Sequence, residues 1–177
     1  MNKGFCIWLM GLSASGKTTL ARLLAQELDR RGFQVEVLDG DQIRSNLSRD
    51  LGYTRRDRET NLRRITLMAR LLVRHGVVVV VAAICPYENM RQEVRGELDE
   101  FVEVYLDCPL EVCIRRDPKG LYRRALAGEI EHFTGLDDPF ETPSQPEIVV
   151  RTDEETPEDS LHRILAALEA KRIIPVL

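Results

Sequence analysis

No stretch of this chain is apolar for long enough to cross a membrane. The longest run, Val77 to Cys85, falls well short of the ~20 residues a helical span needs. A cysteine framework is also missing. Cys6, Cys85, Cys108 and Cys113 show no C-x-x-C spacing and sit mostly in apolar surroundings, which argues against a disulfide scaffold or zinc site and for a reduced compartment. Basic residues are not in excess. The 25 Lys and Arg face 29 Asp and Glu, a formal net charge of −4, and this balance speaks against a nucleic-acid-binding surface. There is no repeat, low-complexity tract or Gly/Ser linker. Met1-Asn2-Lys3-Gly4 leads straight into a strand-like stretch, without the apolar region of a secretory signal. With 44% apolar and 31% charged residues over 177 positions, the expectation is one soluble, cytoplasmic domain spanning 1–177.

What is present is alternation. Phe5 to Met10 reads as a buried strand ending at Gly11, followed by a helical pattern from Thr18 to Arg31 that Gly32 stops. Val35 to Leu38 is a second strand running into Asp39-Gly40-Asp41, and a short helix is expected over Gln42 to Leu47. Asp57 to His75 reads as a long helix. The β-branched run Val77 to Ala83 predicts a strand buried on both faces, as at the centre of a parallel sheet. Val102 to Leu106 and Ile148 to Val150 supply two more strands. A last helix, Pro157 to Lys171, comes after the N-cap candidate Thr156. This alternation predicts an α/β fold around a parallel sheet of about five strands flanked by helices. Arg115 to Pro146 is polar, charged and too long for a simple connection, so a mobile lid is expected at about 115–135.

Gly11-Leu12-Ser13-Ala14-Ser15-Gly16-Lys17-Thr18 matches G-x-x-x-x-G-K-[ST], the P-loop pattern, and lies between a strand and a helix as that motif requires. Its glycines let successive N–H groups face a phosphate, and the helix after it adds its positive end. Lys17 would reach the β- and γ-phosphates, and Thr18 would ligate Mg²⁺. The predicted ligand is therefore a nucleoside triphosphate. The N-K-x-D loop of a guanine-specific switch protein is absent, and Asp117-Pro118-Lys119-Gly120 fits D-x-x-G by coincidence, since it comes after a helical stretch. The strand at Val77 ends in Ala82-Ala83-Ile84 with no acid, so the usual Walker-B carboxylate is missing.

Asp39 and Asp41 are the obvious replacement. If the extended path continues through Gly40, period-two geometry puts both carboxylates on one side, at the sheet edge where ligands bind. Such a pair could hold Mg²⁺ and accept the proton of a hydroxyl. The competing reading makes Asp41 only the N-cap of the short helix. Arg44 lies one helical turn beyond Asp41 and faces the same pocket, and Arg58 opens the long helix. Their fork geometry suits phosphate or sulfate oxygens. Arg55, Arg56 and Arg63 read as a solvated helical face.

At this point the residues resemble the adenylylsulfate kinase (APS kinase) family. Gly11 to Thr19 is similar to G-L-S-x-S-G-K-[ST]-T, Leu38 to Arg44 to L-D-G-D-x-[IV]-R, and Asp57 to Ile65, after Leu51-Gly52-Tyr53, to D-R-x-E-N-[IV]-R-R-[IV]. Lys119 to Tyr122, Ala127 to Ile130 and Phe133 to Gly135 resemble its lid, and Asp138 to Glu141 extends the match. The resemblance implies a P-loop kinase fold and transfer from ATP to the ribose 3′-hydroxyl of adenosine 5′-phosphosulfate (APS), with Mg²⁺, giving 3′-phosphoadenosine 5′-phosphosulfate. It assigns Gly11, Ser13, Ala14, Ser15, Gly16, Lys17, Thr18 and Thr19 to ATP, and Thr18 and Asp41 to the metal. Asp41, Lys17 and Asp39 become the catalytic set. Arg44, Tyr53, Arg58, Asn61, Ile84, Lys119 and Phe133, with Asp41, become the substrate site, Tyr53 and Phe133 sandwiching the APS adenine. Those two aromatics could instead be ordinary core. The resemblance also implies a homodimer, and fusion to or cooperation with a sulfate adenylyltransferase.

One position departs. Where the family usually has I-S-P-Y, this chain has Ile84-Cys85-Pro86-Tyr87. A phosphoserine there is impossible, which favours direct in-line transfer, and Cys85 is expected to pack. Two rivals stay open: a P-loop kinase with another small hydroxyl acceptor, and a nucleotide-binding regulatory subunit without turnover.

Overall fold

The computed structural model describes residues 3–176. Five strands, β1 (Cys6–Met10), β2 (Val35–Asp39), β3 (Val78–Ala82), β4 (Phe101–Asp107) and β5 (Ile148–Arg151), form one sheet in the order β2-β3-β1-β4-β5. Every pairing is parallel. Among the described residues seven helices cover it: α1 (Lys17–Arg30), α2 (Gly40–Asn46), α3 (Arg55–Arg74), α4 (Glu88–Glu97), α5 (Leu110–Arg116), α6 (Leu121–Leu126) and α7 (Pro157–Ala170). Among the described residues no helix is long and apolar enough to cross a membrane.

The pleat explains why β1 and β3 are apolar throughout. Successive side chains point to opposite faces, and both faces are covered, so every residue of either strand is buried. Ile7, Leu9, Val78, Val80 and Ala82 pack with Leu20, Leu24 and Leu28 of α1 and Ile164, Leu165 and Leu168 of α7. Cys6, Trp8, Met10, Val79 and Val81 face the other way, onto Ile65 and Ala69 of α3 and Met90 and Val94 of α4. Burying such side chains stabilises by ~1.5–3 kcal/mol each, and that dominates the fold. All four cysteines are free and buried.

Most element ends match local chemistry. Thr156 and Asp159 form a reciprocal capping box with Pro157 at the first turn of α7. The helix α3 begins at Arg55, earlier than the Asp57 its apolar pattern predicts, because the Thr54 side chain accepts from the Asp57 N–H at 3.2 Å. One expectation needs correcting. The extended path does not continue through Gly40: it stops at Asp39, and Gly40 already opens α2. The carboxylate of Asp39 accepts the Asp41 N–H at 2.9 Å, so Asp39, not Asp41, is the cap. Two helices, α4 and α6, are additions to the pattern read from sequence, while α5 is the helical stretch expected before Asp117.

Candidate active site

The phosphate loop joins the carboxyl end of β1 to α1. Gly11 has φ 154° and a Cβ there would lie 2.8 Å from both the Leu106 carbonyl and Ser15 Oγ. Gly16 has φ 100°, a left-handed conformation that glycine adopts freely. Ala14 takes φ 62° despite its Cβ, a conformation costing a non-glycine residue roughly 1–2 kcal/mol. Such local strain persists only where surrounding structure enforces it.

Lys17 folds back under this loop, donating to the carbonyls of Gly11 at 2.9 Å and Leu12 at 2.6 Å. Burial pulls its ammonium down to about 8, against its usual 10.5. The Thr18 hydroxyl donates to Asp39 Oδ2 at 2.8 Å. Asp39 stands level with Ala82 in the sheet register. The acid missing from β3 is thus supplied by the neighbouring strand. Asp41, in the first turn of α2, is largely exposed and ion-paired with Lys119 of the predicted lid.

A cavity of about 940 Å³ opens along this sheet edge. Ser13, Ala14, Gly16, Lys17, Thr18 and Thr19 line it from the loop, with Asp39, Asp41, Arg44, Tyr53, Arg58, Asn61, Ile84, Lys119 and Phe133. Two of the residues assigned to ATP lie outside that wall. Gly11 sits behind it, and Ser15 is fully buried, its carbonyl accepting from the Thr152 hydroxyl at 2.8 Å. Residues that sequence reasoning missed line the same cavity: Arg116, Asp117, Thr152, Glu155, Pro157 and Ser160. The one signal available was their position after the carboxyl ends of β4 and β5, where ligands bind in α/β sheets.

Arg58 is 8% exposed and ties the start of α3 to the segment after α6. Its guanidinium donates to the carbonyls of Tyr53 and His132 and lies 3.4 Å from Asp138 Oδ2. Arg44 stacks over the Tyr53 ring at 4.6 Å and donates to Gly52. Tyr53 is half exposed, so core packing does not account for it. Phe133 is part-buried, its ring 4.9 Å edge-on from Tyr122; here packing accounts for one side of the ring only. Asn61 is buried, and its Oδ1 has no hydrogen-bond partner. Cys85 is fully buried and burial pushes its thiol up, so it packs as expected. Arg55, Arg56 and Arg63 lie on the exposed face.

The lid segment is better anchored than its composition suggests. Asp117 Oδ1 accepts the Tyr122 N–H, and the Tyr122 side chain is completely buried. Asp137 accepts the N–H groups of His132 and Phe133. Between these anchors, Arg123 to Glu129 is mostly exposed.

Residues 3–151 match the family model described as adenylylsulphate kinase. The chain belongs to the adenylylsulphate kinase family. Among curated family members, the adenylyl-sulfate kinase of Rippkaea orientalis is 54% identical over 167 residues, 94% of this chain and 92% of that protein. A Sorangium cellulosum protein named probable bifunctional SAT/APS kinase 2 is 52% identical over 97% of this chain, which spans only 30% of that relative. The solved structure of the Mycobacterium tuberculosis APS kinase CysC, in complex with AMPPNP and APS, superposes with a TM-score of 0.91. It is 40% identical, and the match covers 96% of this chain and 99% of that one.

Proposed function

We propose that this chain phosphorylates the ribose 3′-hydroxyl of APS with ATP, producing 3′-phosphoadenosine 5′-phosphosulfate and ADP in sulfate activation. The observation that carries the reading is one continuous cavity lined by the phosphate loop, an acid pair and an arginine–aromatic wall. Lys17 and the loop N–H groups bind the ATP phosphates. Arg44 and Arg58 suit the charged phosphosulfate, and the unpartnered Asn61 Oδ1 is an acceptor for a sugar hydroxyl or base N–H. Tyr53 and Phe133 offer faces to the APS purine, with Ile84 and Lys119 on the same side. Asp41 accepts the 3′-hydroxyl proton. Mg²⁺ fits the donor set, because Thr18, Asp39 and Asp41 present hard oxygens beside the phosphate loop and this ion takes one or two carboxylates plus substrate phosphates. When bound it neutralises charge on the transferred group. With Cys85 in place of a serine and buried, transfer is direct. The decisive assay measures ADP release from ATP with and without APS. ADP formed only with both supports the reading, whereas equal release with an alternative hydroxyl acceptor, or none at all, overturns it. The same reading includes a homodimer, measured by sedimentation, and partnership with a sulfate-adenylating enzyme.

The lowered Lys17 gives a proton-linked test. Bound phosphates favour the ammonium form, so ADP binding above pH 8 is expected to be accompanied by net proton uptake. Calorimetry in two buffers of different ionisation enthalpy reads this directly, and Lys17→Met should abolish it. Identical heats for the wild type in both buffers would mean Lys17 does not meet the phosphates.

Segment 115–135 is the lid in this reading, and Arg123 to Glu129 is its most exposed stretch. Trypsin is expected to cut at Arg123 and Arg124 in the free protein and to be blocked by ADP plus APS. Equal cutting under both conditions would count against closure.

A further inference from the structure

The Tyr122 hydroxyl donates to the Ser13 carbonyl at 3.0 Å, which places a side chain of α6 on the backbone of the phosphate loop. The ring is completely buried with Cys108 and Cys113, and Leu12, Ala14, Phe133 and Leu136 pack against that cluster. One side chain therefore touches both the phosphate loop and Phe133, which line the same cavity. A peptide group is planar and trans, so fixing a carbonyl fixes the next N–H on the opposite side. Holding the Ser13 carbonyl thus sets the direction of the Ala14 N–H, and Ala14 is the loop residue held at φ 62°. Packing is tight on this side as well. A Cβ on Gly135, two residues past Phe133, would lie 2.9 Å from the Leu12 side chain.

We propose that Tyr122 is a positioning residue which couples the two nucleotide sites: its hydroxyl orients the Ser13–Ala14 peptide while its ring supports Phe133. When α6 seats, the loop donor is aimed and the aromatic platform is fixed in the same event. When α6 lifts, both are lost. Binding at either site then favours binding at the other by the same factor, as linkage requires. The coupling rests on the proposed APS kinase activity in taking the Phe133 side of the cavity as the APS site. Alternative duties for Tyr122 are limited. Burial raises its phenol above the ordinary tyrosine range, and its hydroxyl is already committed to Ser13, so it keeps its proton and acts by geometry.

The test is a set of isotherms on the full chain: ADP alone, APS alone, and each with the other saturating. Tyr122→Phe keeps the ring and removes one hydrogen bond. Its expected effect is a fall of about threefold to tenfold in the factor by which ADP tightens APS, the usual reach of one such bond. APS alone should bind with nearly wild-type affinity, since the ring still backs Phe133. Exchange of the Ser13–Ser15 amide hydrogens should quicken in the same variant. An unchanged coupling factor in Tyr122→Phe, or a wild type in which the two ligands ignore each other, would overturn the proposal. A purely structural role would lower Tm and leave the factor alone, which also overturns it. Phe133→Ala measured in parallel separates the two levels. If that variant binds APS as the wild type does, the assignment of the APS site fails, whatever Tyr122 does to ADP.

Discussion

Asp41→Asn is expected to lower kcat by about 10²- to 10⁴-fold, the range typical of a removed general base, while the fold and ADP binding survive. The substitution keeps shape and removes charge. Stability should change little, because Asp41 is an exposed side chain whose one ion pair, to Lys119, is also exposed, and such pairs contribute ~0–1 kcal/mol. The cap of α2 is untouched, since Asp39 provides it. Asp39→Ala is the informative contrast. It removes both the cap of α2 and the acceptor of the Thr18 hydroxyl, so it should cost about 0.5–2 kcal/mol of stability as well as activity. Steady-state turnover and Tm of the two variants therefore separate chemistry from scaffolding. A loss in Asp41→Asn below about tenfold, only ~1.4 kcal/mol of barrier, would move the proton-accepting role elsewhere, with Asp39 first in line.

The same two residues mark where the sequence was legible and where it was not. The phosphate loop and the valine run of β3 speak through local chemistry, because glycines at fixed spacing and continuous β-branching have few other uses. Parallel-sheet architecture came directly from them. The path through Gly40 did not, because a hydrogen bond from the Asp41 N–H to the Asp39 side chain ends the strand, and period two describes only backbone that stays extended. The helix α4 was hidden for a different reason. Its inner face carries Arg91, fully buried and bonded to the Cys85 carbonyl and Glu88, so an apolar stripe marks it poorly. Tyr122 was hidden by its neighbours. It sits among charged and glycine residues that read as a solvated lid, and only the tertiary contact with Ser13 and Phe133 buries it. The cavity residues Arg116, Thr152, Glu155, Pro157 and Ser160 likewise belong to no motif; the sheet edge alone gathers them.

Phe133→Ala is expected to weaken APS by roughly 5- to 150-fold and ADP by little. A base stacked on an aromatic ring is worth ~1–3 kcal/mol by alanine substitution, and the phosphate loop that holds ADP does not depend on this ring for its donors. The structure adds a complication the position alone does not reveal. Phe133 is edge-on to Tyr122, so truncation also removes packing from a small buried cluster, and a loosened lid would add its own share to any affinity loss. Two measurements divide the contributions. Since Phe133 is only part-buried, the stability loss should be well below the ~3–5 kcal/mol of a core phenylalanine truncation. Phe133→Leu, which refills most of the packing without an aromatic face, should recover Tm yet leave APS weak. Recovery of APS affinity by leucine would instead show that bulk against Tyr122, and not a stacking face, is what Phe133 contributes. Equal losses for ADP and APS in the alanine variant would make it a structural residue of the lid.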